Sequence, residues 1–242
     1  MSALWIDRLR RFLGDTPVLA PEKSALADEE SHLDPKEMYL DPTPIVEAEA
    51  YLKRVRQKME KLVRDFVQGQ VNRLQFEELY AHYQEERNTI QNLITSHPQS
   101  GAWRMAVTEG ESLMIRRRNA ARSLNYVVYD NRTKEAIRLY GELTPYNRAK
   151  ILSVLNSVNE GQTQPGKAEA IRLGLGEDGE WLCYVAGEYS TLIVFFNREP
   201  ARVQLELLED LHAHFEQANG RIMARLHYES NTLVFPYAAA FE

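Results

Sequence analysis

Three glycines of the chain, Gly174, Gly176 and Gly179, match the G-x-G-x-x-G pattern of dinucleotide-binding loops. In such loops a helix follows the glycines, because the backbone N–H groups at its N-terminus receive the phosphates. Here the residues that follow, 181–185, are Trp-Leu-Cys-Tyr-Val, which is typical of a β-strand. The pattern therefore favours a glycine-rich hairpin over a nucleotide site.

The other candidates for chemistry are two histidines and one cysteine. His212 and His214 stand two positions apart in a segment with helical periodicity, so their side chains point about 200° apart and cannot bind one metal ion together. Cys183 is the single cysteine, which excludes an internal disulfide and a cysteine zinc cluster. It lies in a predicted strand with no histidine near it in sequence, so we expect a buried, inert thiol. We predict no catalytic residue, no cofactor and no metal.

The charge of the chain is unevenly distributed. The formal net charge is −6, and residues 22–41 alone carry seven acidic and two basic side chains, a difference of −5. The densest basic cluster is Arg116, Arg117 and Arg118. With few aromatic residues near it, this cluster favours solvent or the protein's own acidic segment over nucleic acid. Phosphate and an acidic partner stay open as alternatives.

The composition is that of an ordinary globular protein. Hydrophobic residues make up 44% and charged residues 26% of the 242 residues, enough for the core of one or two domains. No run comes near the roughly 20 apolar residues that a membrane-spanning helix needs. Asp7 and Arg8 interrupt any apolar core of a signal peptide. These features predict a cytoplasmic protein.

The first segment, residues 1–13, is predicted to contain a short amphipathic helix over 3–13. Its apolar residues include Leu4, Trp5, Leu9, Phe12 and Leu13. The favoured interpretation is a helix that folds back onto the protein, and the alternatives are a docking helix and a peripheral contact with a membrane. Residues 14–43 follow, and their prolines and like charges predict a flexible acidic linker.

Residues 44–98 are predicted to form an antiparallel helical hairpin. Thr43 before a proline suits a helix start, and Asn72 with Gln75 three positions later suits a capping box for the second helix. Apolar residues recur at spacings of three and four in both halves. The members of this seam are Leu52, Val55, Met59, Leu62, Phe66, Phe76, Leu79, Tyr80, Tyr83, Ile90 and Leu93. Because the seam needs a cover, we expect the hairpin to supply a protein-binding surface.

Residues 109–242 are predicted to form an α+β domain with the element order β-β-α-β-β-β-α. Alternation and turn residues place two strands within 124–140 and three within 169–196, and a helix starts at Thr144 between them. The sheet is expected to be five-stranded and mostly antiparallel, with helices packed on it. A last helix follows, and its apolar seam is Leu208, Leu211, Phe215, Ala218 and Ile222.

This element order resembles that of the roadblock and longin families, which have profilin-like folds, over residues 109–225. The resemblance implies a mostly non-catalytic domain that pairs with a second copy and serves small GTPases or multiprotein complexes. The helical hairpin and the acidic linker depart from a minimal roadblock domain. Related mixed sheets occur in PAS- and GAF-like sensors, so the alternative is a small-molecule-sensing domain whose hairpin transmits the signal.

We therefore predict a non-enzymatic adaptor or assembly subunit that binds other proteins and forms a homodimer. A small GTPase is one of the partners that the resemblance implies. No nucleic-acid partner is expected, and membrane contact is expected at most through residues 3–13. The candidate interaction residues are Leu208, Leu211 and Phe215 on the last helix, together with Arg116, Arg117 and Arg118.

Overall fold

The structure of the chain is a computed structural model. The residues that it describes are 43–108, 110–159, 169–175, 179–225, 227–237 and Phe241. The amphipathic helix and nearly all of the acidic linker predicted for residues 1–43 lie outside the described residues. Thr43, the last residue of the predicted linker, is the first residue of a helix.

Helices make up the first part of the described chain. They are α1 (Thr43–Val67), α2 (Arg73–Ser96), a 3-10 helix (Ala102–Ala106) and α3 (Glu111–Arg118). The Asn72 side chain accepts a hydrogen bond from the Gln75 N–H at 2.8 Å, and the Gln75 side chain accepts one from the Asn72 N–H at 3.0 Å. The predicted capping box is therefore confirmed. In the described part of the chain, none of the helices combines the length and the apolar content needed to cross a membrane.

α3 packs with the hairpin. Its Ile115 lies in one apolar cluster with Leu62 of α1 and Leu79 of α2. Trp103 of the 3-10 helix joins a second cluster at the other end of the hairpin, beside Ile90. The contacts of α3 thus associate it with the front part of the protein, although the predicted boundary at residue 109 grouped it with the sheet.

Five strands form one sheet. They are β1 (Ser123–Asp130), β2 (Ala136–Tyr140), β3 (Ile171–Leu175), β4 (Glu180–Ala186) and β5 (Ser190–Phe196). Their order across the sheet is β2-β1-β5-β4-β3, and every neighbouring pair is antiparallel. The predicted α+β class with an antiparallel sheet is therefore confirmed. β3 and β4 pair directly, with Leu175 opposite Glu180, so a strand follows the glycine pattern at 174–179.

Helices cover both faces of the sheet. α4 (Pro145–Asn159) packs Ile151 and Leu155 against one face, where they join Ile193 of β5 in a buried cluster. α5 (Arg202–Met223) covers the other face. Every residue of β5 is buried, as expected of a central strand that is covered on both sides.

The last described residues fold back over α5 and complete the core on that side. The imidazole of His212 lies between the Tyr237 hydroxyl, at 2.7 Å, and the Ser190 carbonyl oxygen, at 3.1 Å. The buried Asn219 side chain donates to the Val234 carbonyl at 2.8 Å and accepts from the Val234 N–H at 2.9 Å. Because buried polar groups need such partners, these bonds fix where the C-terminal segment crosses the helix.

The hairpin is joined to the rest of the protein through its connecting loop. Asn72 donates from Nδ2 to the carbonyl oxygens of Asn119, at 2.8 Å, and of Glu199, at 3.0 Å. Gly69 has a φ of +71°, and its carbonyl oxygen accepts a hydrogen bond from the Val203 N–H at 3.2 Å. A side chain at residue 69 would overlap the first turn of α5. Glycine is therefore required both for the left-handed backbone and for the close approach.

Candidate protein-binding surface

The apolar seam that was predicted as an interaction surface on the last helix lies in the core. Leu208, Leu211 and Phe215 are fully buried between α5 and the sheet. Phe235 and Tyr237 of the C-terminal segment each pack on Phe215, with ring centroids 5.3 Å apart in both pairs. These three interaction candidates are therefore buried in the single chain, because its own C-terminal residues cover the surplus apolar surface.

The arginine cluster of α3 is largely engaged by the hairpin. Arg116 forms an ion pair with Asp65 of α1 at 3.2 Å, and Arg118 forms one with Glu78 of α2 at 2.6 Å. Such partly exposed pairs contribute little free energy of folding, but they orient α3 on the hairpin. Arg117 is exposed, and no acidic side chain of the described residues lies within ion-pair distance of it. Of the three arginines, Arg117 is therefore the one whose guanidinium group faces solvent and is open to a ligand.

The side chains with the most reactive chemistry are buried. Cys183 lies inside the sheet, and burial raises the pKa of its thiol to about 12, so the thiol is protonated at neutral pH and is a poor nucleophile. Burial also lowers the pKa of the His212 imidazole, which the nearby Glu216 carboxylate partly offsets. His214 is exposed while His212 is buried, so the two do not converge on one ion. Among the described residues, no three His, Cys, Asp or Glu side chains are grouped as a metal site would require.

An open groove of about 670 Å³ lies between β3 and the first half of α5. A small-molecule site needs polar groups that point into such a space without partners of their own. Four of the five charged side chains of this lining are engaged instead: Arg172 with Glu199 at 2.8 Å, Arg202 with Glu206 at 3.1 Å, and Glu209 as acceptor for the Ala170 N–H at 2.7 Å. The groove therefore gives the sensor alternative little support.

A group of apolar and aromatic side chains is exposed at the loop end of the hairpin. Val67 is 76% exposed, Val63 42% and Phe66 39%. The Phe66 ring stacks on the half-buried Phe76 of α2, with centroids 4.5 Å apart, and Phe76 stacks on the half-buried Tyr80 at 5.6 Å. These five residues are named the aromatic patch. Phe66, Phe76 and Tyr80 belong to the seam that the sequence predicts, and Val63 and Val67 lie beside it.

The aromatic patch lies on a side of the hairpin that α3 does not occupy. α3 contacts α2 through Gln75 and Glu78, whose side chains bind it directly. Successive residues of an α-helix are rotated by about 100°, so Phe76 points about 100° away from Gln75, and Tyr80 about 160° away from Glu78. α3 therefore covers one side of the seam while the patch stays exposed on another. The sequence carries no local signal for this choice, because it depends on where α3 docks.

Basic side chains border the aromatic patch on α1. Residues 53–64 carry six basic side chains and one acidic side chain, a difference of +5. Lys53, Arg56 and Arg64 are exposed, and within the described ranges none of them has an acidic partner at ion-pair distance. Arg56 and Val63 are seven positions apart and lie along one side of the helix. The patch is therefore an apolar surface with a basic flank.

Exposed apolar side chains also occur outside the aromatic patch, and they include Val46, Met105, Leu113, Met114, Leu124, Tyr140 and Val234. Tyr146 and Leu152 lie six positions apart on α4, so the helix turns them to different sides. Leu139 and Leu173 lie on the two edge strands, β2 and β3, at opposite ends of the sheet. Single exposed apolar residues are common on protein surfaces and need no partner. They supply control positions for tests of the aromatic patch.

Comparison with protein-family models, with curated proteins and with solved structures gives no match to this chain. The features that bear on function are therefore those of the described residues. They are the buried, unreactive side chains of the α+β part and the exposed aromatic patch with its basic flank on the hairpin.

Proposed function

We propose that the protein is a non-enzymatic adaptor or assembly subunit that binds another protein through the aromatic patch of its hairpin. The stacked row of the exposed Phe66 and the half-buried Phe76 and Tyr80, beside the exposed Val63 and Val67, is the observation that carries this proposal. Exposed clusters of this kind mark interaction sites, and aromatic side chains contribute strongly at the centres of protein interfaces.

The shape and charge of the surface favour an amphipathic helix as the partner segment. Two packed helices present a furrow between them, and a third helix fills it with side chains at positions i, i+3 or i+4, and i+7. Lys53, Arg56 and Arg64 favour acidic side chains on the flank of that helix. The bound helix would cover the patch much as α3 covers the neighbouring side of the hairpin.

The absence of catalysis is part of the same proposal. The Cys183 thiol is buried and protonated at neutral pH, so it cannot act as a nucleophile without unfolding. Both ring nitrogens of His212 are engaged inside the core, where no substrate reaches them. These two placements support a binding role for the protein.

The resemblance to roadblock and longin domains extends the proposal. The strands and helices from β1 to α5 occur in the order β-β-α-β-β-β-α, on which that resemblance rests. An adaptor of this kind would pair with a second copy, serve a small GTPase or a multiprotein complex, and work in the cytoplasm. Since Leu208, Leu211 and Phe215 are buried, pairing would use other residues.

Affinity capture with matched variants tests the proposed surface. The baits are the full chain, the double variant Val63→Glu with Val67→Glu, and the control Leu152→Glu, which adds a charge at a 62% exposed position of α4. All three should show the same circular dichroism and thermal unfolding, because the changed side chains are exposed. We expect proteins that the wild type and the control retain and the patch variant loses. Retention by the patch variant contradicts the proposal.

A further inference from the structure

We infer that the outer edge of β3 and the groove beside it bind an extended peptide, which adds one strand to the sheet and carries a basic side chain. In the described part of the chain, no strand pairs with the side of β3 that faces away from β4. The open groove between β3 and α5 lies beside the same strand. None of these residues belongs to the aromatic patch, so the inference goes beyond the proposed function.

The register of the sheet shows which main-chain groups of β3 point outward. The Gly187 N–H donates to the Ser190 carbonyl oxygen at 2.8 Å, so the odd-numbered residues of β4 point their N–H and C=O groups at β5 and the even-numbered residues point theirs at β3. Leu173 lies opposite an even-numbered residue and therefore pairs with β4. The N–H and C=O groups of Arg172 and Gly174 then point away from the sheet, as an added strand requires.

A hydrogen bond just before β3 gives the same direction independently. The Ala170 N–H, two positions before Arg172, is accepted by the Glu209 carboxylate of α5 at 2.7 Å and not by β4. Among the described residues, none accepts the outward N–H of Arg172 or Gly174. Such unpaired main-chain groups are what a peptide binds when it extends a sheet.

Alternate side chains of an added strand would enter the groove. Residues paired across a sheet share a face, so Arg172, opposite Cys183, lies on the α5 face, and Leu173 lies on the α4 face. Peptide residues opposite Ala170 and Gly174 would point towards α5, where these small residues leave space. The peptide residue opposite Leu173 would point towards α4 and pack on that side chain, which is 43% exposed.

The charge of the groove favours a basic peptide. Three acidic side chains, Glu169, Glu206 and Glu209, line it together with two arginines, and both arginines already pair with carboxylates. Glu169 is exposed, and within the described ranges no basic side chain lies at ion-pair distance from it. We therefore expect lysine or arginine at the peptide position opposite Ala170. A second copy of this chain fits less well, because it would bring the same surplus of acidic groups to the edge.

Peptide selection on the purified full chain tests this inference. The probe is a random library of short linear peptides displayed on phage, and enriched peptides are measured on matched variants. Gly174→Pro removes an outward N–H while it keeps the ladder bonds to β4, and proline is tolerated at such edge positions. Glu169→Lys reverses the exposed acidic charge, and Glu85→Lys is the control for the same charge change at an exposed position of α2.

We expect enriched peptides that alternate apolar or β-branched residues with a basic one. Their binding should be lost with Gly174→Pro and weakened several-fold with Glu169→Lys. It should be unchanged with Glu85→Lys and with the double variant Val63→Glu and Val67→Glu. A selection that gives no peptide dependent on Gly174 overturns the inference. Peptides that depend only on Val63 and Val67 do the same, although they support the proposed function.

Methylation of single peptide amides keeps the test decisive even where the proline variant does not fold. Only alternate N–H groups of an added strand face β3, so N-methyl groups at alternate positions should abolish binding and those between them should leave it nearly unchanged. Equal effects at every position would refute strand addition.

Deuterium exchange and sedimentation identify any other occupant of the edge. The amides of Arg172 and Gly174 should exchange quickly in the wild-type chain alone and slowly with the enriched peptide bound. Slow exchange in a monomeric chain without peptide would mean that the protein already covers this edge itself. A wild-type dimer that Gly174→Pro dissociates would make the occupant a second copy. Either result contradicts the inference and leaves the aromatic patch untouched.

Discussion

Replacing Asn72 by alanine tests how the hairpin is joined to the rest of the protein. Asn72 is 4% exposed, and its side chain makes three hydrogen bonds. It accepts from the Gln75 N–H at 2.8 Å, which caps α2, and it donates to the carbonyl oxygens of Asn119 at 2.8 Å and Glu199 at 3.0 Å. The last two bonds tie the loop to the segments that precede β1 and α5. Alanine removes all three.

The expected loss is large enough to measure. A lost N-cap costs about 1 kcal/mol, and each of the two lost bonds to a carbonyl costs about 1 kcal/mol, so the free energy of unfolding should fall by about 3 kcal/mol. With a urea dependence of about 2–3 kcal/mol per molar, the unfolding midpoint should fall by about 1 M. Urea unfolding of the full chain, followed by far-ultraviolet circular dichroism, measures this shift.

Two controls separate the cap from the junction. Asn72→Ser keeps a cap acceptor and loses both donors, so it should cost about 2 kcal/mol. Asn92→Ala, at an exposed position of α2, should stay within about 0.5 kcal/mol of the wild type. If Asn72→Ala costs no more than Asn92→Ala, the described docking of the hairpin is refuted.

Three buried groups give further expectations. Acidification from about pH 7.5 to about pH 5.5 should lower the free energy of unfolding, as measured by urea unfolding. Burial lowers the pKa of His212 from 6.5, so the unfolded chain takes up the proton at a higher pH than the folded chain does. The His212→Gln variant should show a smaller dependence of the free energy of unfolding on pH. The native Cys183 thiol should resist a thiol reagent at about pH 8 and react once unfolded, and fast labelling of the native chain would contradict its burial. Gly187→Ala should lower the free energy of unfolding by about 1–3 kcal/mol, as measured by thermal unfolding. The new methyl group would displace the Glu216 carboxylate, which accepts a hydrogen bond from the Ser190 N–H at 2.8 Å.

Local pattern was sufficient for most of the helices and strands. The Asn72 and Gln75 capping box was predictable because both partners lie within one turn of helix. The central position of β5 was predictable because its unbroken apolar run needs cover on both faces. In each case the signal and the interaction that it reports are close together in the sequence.

The periodicity of α5 predicts a buried seam, and the apolar residues after it predict that the C-terminal segment packs on the protein, but neither pattern predicts which surface that segment covers. Phe215 belongs to a seam with more apolar surface than one sheet face requires, and the excess is covered by residues such as Tyr237. Those residues also supply partners for His212 and Asn219, which makes two polar positions buried. Ala218, predicted in the seam, is exposed because Asn219 takes the inward position. These outcomes depend on a segment that returns from outside the helix.

The position of the aromatic patch was also beyond local pattern. The spacing of Phe66, Phe76 and Tyr80 predicts a seam, but it does not tell which side of the seam another element covers. That choice depends on α3, which inserts Ile115 into the hairpin and binds Glu78 through Arg118. Candidate binding residues in a helical hairpin therefore follow from its tertiary neighbours.

Site-specific photo-crosslinking in cells tests the proposed binding surface most directly. The full chain carries a photoreactive amino acid in place of Val67, or in place of Leu152 as the matched exposed control. Light should link the chain to another protein at residue 67 and give no such product at residue 152. No product at residue 67, or the same products at both positions, would contradict a protein-binding role for the aromatic patch.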